Sequence, residues 1–344
     1  MHSATALTPS ESQISSKLPL RIFDHEPGEF AEEFNQRPFA VSHNLGNHPL
    51  FGLPRLIELA KTLWAEAGSK VVFQEGNASF KDRWDEMAQK KAVSFIKGIS
   101  DIQGSSSWVL LKSVQIDPEY KACIDRCVVE LSELTSVDLA NEISWIDGYV
   151  FIASPGAVTP HHIDHESNFL LQIHGEKKMN VCDPSDRTLL FEEEIENYYA
   201  GDLSAAGLKP VSQERAYTFP MAPGSGVHIP SKGPHWVRND EQYSVSFSIN
   251  FCMRETDVKS RIYQCNHYLR KLDFRPTPPG RSALKDWLKI MALGRLGGVK
   301  AGNKNELLRK NVRRLEGASR FLGKVLRRPI SLPQQSTVDV AEKS

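Results

Sequence analysis

Thr159-Pro160-His161-His162-Ile163-Asp164, running on as His165-Glu166-Ser167-Asn168-Phe169-Leu170-Leu171-Gln172-Ile173-His174-Gly175-Glu176-Lys177-Lys178, sets four histidines, three acids and two lysines among strongly apolar residues. Side chains alternate faces along a β-strand, so His162 and Asp164 share one face while Ile163 takes the other. An imidazole and a carboxylate on one face suit a divalent first-row metal, and a further histidine would complete a two-His, one-carboxylate facial triad. By the same alternation His161 lies on the face opposite Asp164, and His165 follows Asp164 directly, so neither shares the geometry.

The third ligand must come from elsewhere in the chain. Gly224-Ser225-Gly226-Val227-His228-Ile229-Pro230-Ser231-Lys232-Gly233-Pro234-His235-Trp236-Val237 reads as a tight turn between two strands, and His235 opens the second of them. A barrel brings such distant strands together. His174 and His228 are read as pocket-lining or hydrogen-bonding histidines of that barrel.

Taken in order, the motifs are T-P-x-H-x-D at Thr159–Asp164, N-F at Asn168-Phe169, G-x-K at Gly175–Lys177, I-P-x-x-x-x-H-W at Ile229–Trp236 and S-I-N-F at Ser248–Phe251. This ordered set resembles the Jumonji-C/cupin-like family of Fe(II)- and 2-oxoglutarate-dependent oxygenases, and within it the asparaginyl-hydroxylase branch and bacterial cupin-like proteins. The resemblance covers residues 140 to 255 closely and the preceding hundred more loosely. A bare H-x-D is common, whereas the ensemble at these spacings is not.

The resemblance implies a double-stranded β-helix, or jelly-roll, core that is mainly β with flanking helices. It places iron ligands at His162, Asp164 and His235, and the lysine that pairs with the 2-oxoglutarate carboxylate at Lys177. Thr159, Asn168 and Asn250 match positions that help to hold the cosubstrate. Lys178 competes with Lys177 on strand phase alone, and the family spacing favours Lys177. The implied activity is hydroxylation coupled to 2-oxoglutarate decarboxylation, with Fe(II), 2-oxoglutarate and O2 as the required set. A protein that keeps the barrel for binding or regulation, and a cupin metalloenzyme that does not use 2-oxoglutarate, are the rival readings.

The 344 residues, 40% hydrophobic and 9% aromatic, suffice for one large domain or two modest ones. The first ten residues have no basic start followed by an apolar run, and no stretch has the ~18 apolar residues of a membrane helix, so a cytoplasmic location is expected. Cys123, Cys127, Cys182, Cys252 and Cys265 form no C-x-x-C pair and are read as reduced packing residues.

Residues 1–18 read as a flexible tail, 19–140 as an α/β region bracing the barrel, and 141–255 as the catalytic barrel. Residues 256–330 read as a basic helical region, and 331–344 as a disordered end. Helices are expected at Leu53–Trp64, Trp84–Ile99 and Tyr120–Leu134, and strands at Lys70–Gln74 and Ser107–Lys112. His43 and His48 are read as polar loop residues. Phe169–Ile173 and Lys178–Val181 are expected to form a hairpin about Gly175-Glu176. The stretch 183–220, with the acidic run at Phe191–Tyr199, is read as a lid or a substrate-recognition loop, or else as a solvated acidic helix.

Within 281–328, fourteen Lys and Arg residues oppose only Asp286, Glu306 and Glu316, although the chain as a whole is formally neutral. Helices there would dock on the barrel or pair two subunits as a homodimer, contact a polyanion, either nucleic acid or an anionic membrane surface, or meet the chain's own acidic loop. The remaining partner is the substrate, a protein or a small molecule that sequence does not identify.

Overall fold

The computed structural model describes residues 17–75, 79 and 95–295, with side chains as far as residue 292. The expectations for residues 1–16, for most of Trp84–Ile99 and for residues from 296 onward lie outside that range. The described residues fall into two compact units. One contains the residues up to Phe191 and Ala206–Thr256; the other contains Glu192–Ala205 and the residues from Asp257 on.

The first unit is built on eleven strands: β1 Phe39–Ser42, β2 Val71–Glu75, β3 Ser107–Lys112, β4 Ile143–Ala153, β5 Val158–His162, β6 Ser167–His174, β7 Lys177–Val181, β8 Tyr217–Met221, β9 Ser225–Ile229, β10 His235–Asn239 and β11 Ser244–Met253. They form a seven-stranded sheet in the order β1-β9-β6-β11-β4-β3-β2 and a four-stranded sheet in the order β5-β10-β7-β8. Every pairing is antiparallel. From β4 to β11 the chain passes repeatedly from one sheet to the other, which is the winding of a double-stranded β-helix.

That winding corrects one expectation. β6 and β7 do not pair as a hairpin: β6 lies between β9 and β11, and β7 between β10 and β8. Gly175, at φ +70°, turns the corner between the sheets where a Cβ would meet Tyr243 O at 2.1 Å, so the turn links layers rather than neighbours. Likewise β9 and β10, on either side of the glycine- and proline-rich turn, belong to different sheets.

Strict alternation along β11 shows how the layers are sorted. Val245, Phe247, Ile249 and Phe251 join Phe169, Leu171 and Ile173 of β6 in the main core. That core also takes Leu56, Leu59 and Leu63 of α1 (Leu53–Glu66) and Tyr120, Cys123, Cys127 and Leu131 of α3 (Pro118–Thr135). The helix between them, α2, is Phe95–Ser100, and α4 is Leu139–Glu142. Asp117 caps α3 by accepting from Glu119 N, and Pro118 follows at the first helical position, which fixes its start. Burial of the Glu130 carboxylate is offset by backbone donors, with Ile22 N at 2.8 Å and Phe23 N at 2.9 Å. Within the region 19–140, β1, β2 and β3 all extend the large sheet.

The opposite face of the large sheet looks toward the small sheet. Leu170 and Val227 meet Met179, Val181 and Val237 in a second apolar cluster. Around it sit the polar alternates of β6 and β11 described below.

Between β7 and β8 the expected irregular stretch holds two helices, α5 (Glu192–Tyr199) and α6 (Ser212–Arg215). α5 belongs to the second unit and is not a merely solvated helix, because Ile195, Glu196, Tyr198 and Tyr199 are all buried. In that unit Arg270 Nε of α7 (Arg254–Lys271) meets Glu196 Oε2 at 2.6 Å, and Gln264 Nε2 donates to Tyr199 O at 3.0 Å. α8, Ala283–Arg295, follows.

Candidate metal centre

Two histidines face each other across the small sheet. His162 ends β5 in register with His235, which opens β10, and their ring centroids are 4.1 Å apart. Asp164 lies two residues past the end of β5 rather than on it. The chain beyond β5, not a shared strand face, brings the Asp164 carboxylate back toward His162. Asp164 Oδ2 lies 3.7 Å from His162 Nε2 and 3.8 Å from His235 Nε2. Ligand atoms each about 2.0–2.2 Å from a common ion have separations of this order.

The rings are held in matching fashion. His162 Nδ1 lies 2.8 Å from Pro160 O, and His235 Nδ1 lies 2.9 Å from Gly233 O. A carbonyl only accepts, so each Nδ1 carries the proton and each Nε2 presents its lone pair toward Asp164. This is the outer arrangement that orients metal-binding imidazoles. Burial, followed by the neighbouring His235, lowers the His162 pKa to about 3 and keeps the ring neutral.

A β-bulge separates His162 from His161. Thr159 is paired with Val237 and His162 with His235, so two residues of β5, Pro160 and His161, oppose the single Trp236. Thr159 and His162, three apart, therefore face the same way, which a regular strand forbids. His161 turns to the other side, with Nδ1 3.0 Å from Ala206 O and its ring 5.6 Å from Trp236. His165 packs against Trp145, its Nε2 2.8 Å from Cys252 Sγ.

Lys177 is buried on β7 and Lys178 is exposed, which resolves the strand phase. The Lys177 ammonium donates to Ser246 Oγ, and Ser246 Oγ donates to Gln172 Oε1 at 2.8 Å. Gln172 Nε2 is held in turn by His174 O and Gly175 O. Burial alone pulls the Lys177 pKa down to about 7. Asn168 and Asn250 are directly paired on β6 and β11 and therefore share a face. Asn250 Nδ2 reaches Asp147 O at 3.2 Å, whereas Asn168 Oδ1 is buried without a hydrogen-bond partner. Thr159 is half-buried.

Sequence reading missed Gln172 and Ser246, which fix the lysine. The signal was present in the alternation Ser244-Val-Ser-Phe-Ser-Ile-Asn-Phe-Cys252, whose polar members all fall on one face. His228 faces the other way: it stacks against Phe34, Phe39 and Phe169, receives Asn35 N at 3.1 Å and sits 3.0 Å from Asn168 O. His43 and His48 lie outside the named strands and helices and are buried. Their Nδ1 atoms accept from Leu45 N and Leu50 N, each two residues on.

Jumonji C domain-containing protein 5 of Drosophila melanogaster is 29% identical over 220 residues, covering 61% of this chain and 52% of that protein. The chain thus spans about half the length of that curated relative. Among solved structures, the ribosomal oxygenase YcfD of Escherichia coli in complex with cobalt and succinic acid is similar with a TM-score of 0.43 and 15% identity. That likeness covers 81% of this chain and 67% of YcfD. YcfD in complex with cobalt and 2-oxoglutarate gives 0.38 and 16%, covering 77% and 65%. Residues 65–257, more than half of the 344, match the cupin-like domain family, and the chain belongs to it.

Proposed function

We propose that this protein is an Fe(II)- and 2-oxoglutarate-dependent oxygenase, acting as a hydroxylase, with His162, Asp164 and His235 as its metal ligands. The observation that carries this reading is the convergence of His162 Nε2 and His235 Nε2 on Asp164 Oδ2. Two neutral imidazoles and one carboxylate fit a divalent iron and leave coordination positions open. Bound there with 2-oxoglutarate, iron supplies dioxygen activation, which couples oxidative decarboxylation of the cosubstrate to succinate and CO2 with oxygenation of a second substrate.

The chain's own residues supply position and charge. Pro160 O and Gly233 O lock both imidazole tautomers, so neither ring has to reorient to ligate. Lys177, on the same barrel interior, neutralises the remote carboxylate of the cosubstrate as a point charge, steadied by Ser246. An arriving carboxylate raises the pKa of a lysine otherwise held near 7, so binding takes up a proton near neutral pH. Thr159, Asn168 and Asn250 add hydroxyl and amide groups on the same side, and the apolar cluster of Leu170, Met179, Val181 and Val237 keeps water from the interior.

The test is succinate release from 2-oxoglutarate by purified protein supplied with Fe(II) and ascorbate, with Asp164→Ala and His162→Ala run in parallel. Turnover in the wild type, reduced at least about 100-fold in both variants, is expected for ligands of a catalytic metal. Turnover that survives both substitutions would remove these residues from the chemistry. No metal-dependent binding of 2-oxoglutarate would favour a cupin that works without it.

A further inference from the structure

α8 is turned inside out relative to an ordinary surface helix. Two of its charged residues, Asp286 and Lys289, are each only 8% exposed, while Lys285 is exposed. Asp286 Oδ2 accepts from Gly280 N at 2.7 Å, and Lys289 Nζ donates to Thr277 O at 2.7 Å while lying 3.7 Å from Asp286 Oδ1. The apolar residues face outward instead: Leu284 is 67%, Trp287 55%, Leu288 53% and Met291 42% exposed. Positions i, i+3, i+4 and i+7 lie on one helical face, so these four form a continuous stripe. Scattered exposed apolar residues are ordinary, whereas a stripe of this kind marks an interaction surface.

The stripe lies in the basic stretch 281–328, with its fourteen basic and three acidic residues. Three kinds of partner would use these features differently. A nucleic acid takes the charge and leaves Leu284, Trp287, Leu288 and Met291 in water. A second copy of the chain covers the stripe but brings two strongly basic stretches together. An anionic lipid surface uses both, taking the apolar stripe at the headgroup–acyl boundary and the basic residues against its phosphates.

We propose that α8, with the basic stretch in which it lies, is an interfacial anchor for an anionic lipid surface. Trp287 at the centre of the stripe has the amphipathic ring that favours the headgroup level. α8 lies in the surface rather than crossing it: it has 13 residues, and no helix among the described residues is long and apolar enough to span a membrane. This inference is independent of the oxygenase reading.

The experiment is co-sedimentation of the full-length protein with phosphatidylcholine vesicles, with and without about a third phosphatidylglycerol, an anionic fraction large enough to set a strongly negative surface potential. Binding only to the anionic vesicles, weakening as salt is raised, is expected. Leu284→Asp/Leu288→Asp and, separately, Arg313→Gln/Arg314→Gln/Arg320→Gln should each weaken that binding roughly tenfold or more at unchanged melting temperature. The stripe residues are exposed, so the first variant keeps its fold. Failure to bind anionic vesicles, equal binding to neutral ones, or undiminished binding by the Asp variant would overturn the proposal. A wild-type dimer that the Asp variant splits into monomers would assign the stripe to a second copy instead.

Discussion

The two faces of the large sheet are made by the same strands and do opposite things. On β11 the odd-numbered residues Val245, Phe247, Ile249 and Phe251 belong to the main hydrophobic core. The even-numbered Ser246, Ser248 and Asn250 are just as inaccessible, yet every one is polar. The histidines follow the same division. His228, on the outer face, is also held near pKa 3 by burial, but both its nitrogens are engaged by backbone groups of Asn35 and Asn168. His162, on the inner side, uses Nδ1 for Pro160 O and turns Nε2 toward Asp164. Burial therefore does not distinguish core from site here; what distinguishes them is whether the buried polar atoms are closed on the backbone or aimed at one another.

The largest effect expected from this contrast is on the outer face. Phe247→Ala should cost about 3–5 kcal/mol of unfolding free energy, from lost burial and the cavity left, in chemical denaturation of the metal-free protein. Lys177, which reaches the inner face of that sheet from β7 of the other, should do the reverse. Lys177→Met removes a desolvated amine and should leave the metal-free protein as stable or more stable, by about 1–3 kcal/mol, while abolishing 2-oxoglutarate binding. An equal loss of stability in the two variants would erase the distinction between the faces.

pH sharpens it further. In the folded protein burial lowers the pKa of His161 to about 4 and of His162 and His228 to about 3. Unfolded histidine titrates near 6.5, so between 6.5 and 3 the unfolded chain binds protons that the folded chain does not. The stability present above pH 6.5 should then fall as pH drops through this window. His228→Gln should soften that loss, and of these three histidines a divalent metal should protect His162, the one that ligates it. Lys177 works at the other limb. Its pKa near 7 means that affinity for 2-oxoglutarate should decline as pH rises above 7, as the free enzyme gives up the proton that binding requires.

The smallest effect belongs to His161→Ala. Losing its contact with Ala206 O should cost about 1 kcal/mol and leave metal affinity unchanged. A large loss of metal affinity would mean that the bulge does not separate His161 from His162 as described.

Much of this was legible in the sequence because alternation is a local signal. β3 fell where the pattern put it, β11 shows its two faces in its own residues, and the family resemblance pointed to His162, Asp164, His235 and Lys177, which the fold brings to one interior. Pairing was not legible. β6 and β7 are adjacent in sequence and read as a hairpin, but a short glycine turn looks the same whether it joins neighbours in one sheet or crosses between two. Only Tyr243 O pressing on Gly175 from another strand settles which. The bulge at Pro160-His161 was hidden likewise, because register is a property of two strands and Trp236 lies far along the chain. α8 falls in the stretch read as basic and helical, but which of its faces turns outward is fixed by Thr277 and Gly280, not by the helix itself.

A joint metal and dicarboxylate site in the barrel interior is tested most directly by calorimetric titration of 2-oxoglutarate into the anaerobic protein, with and without Fe(II). Wild type, Asp164→Ala and Lys177→Met would be compared at pH 6.5 and 8.5. Fe(II)-dependent binding by the wild type, weaker at the higher pH, is expected, and none in either variant. Binding that is indifferent to Fe(II), or that persists in Lys177→Met, would contradict a joint site.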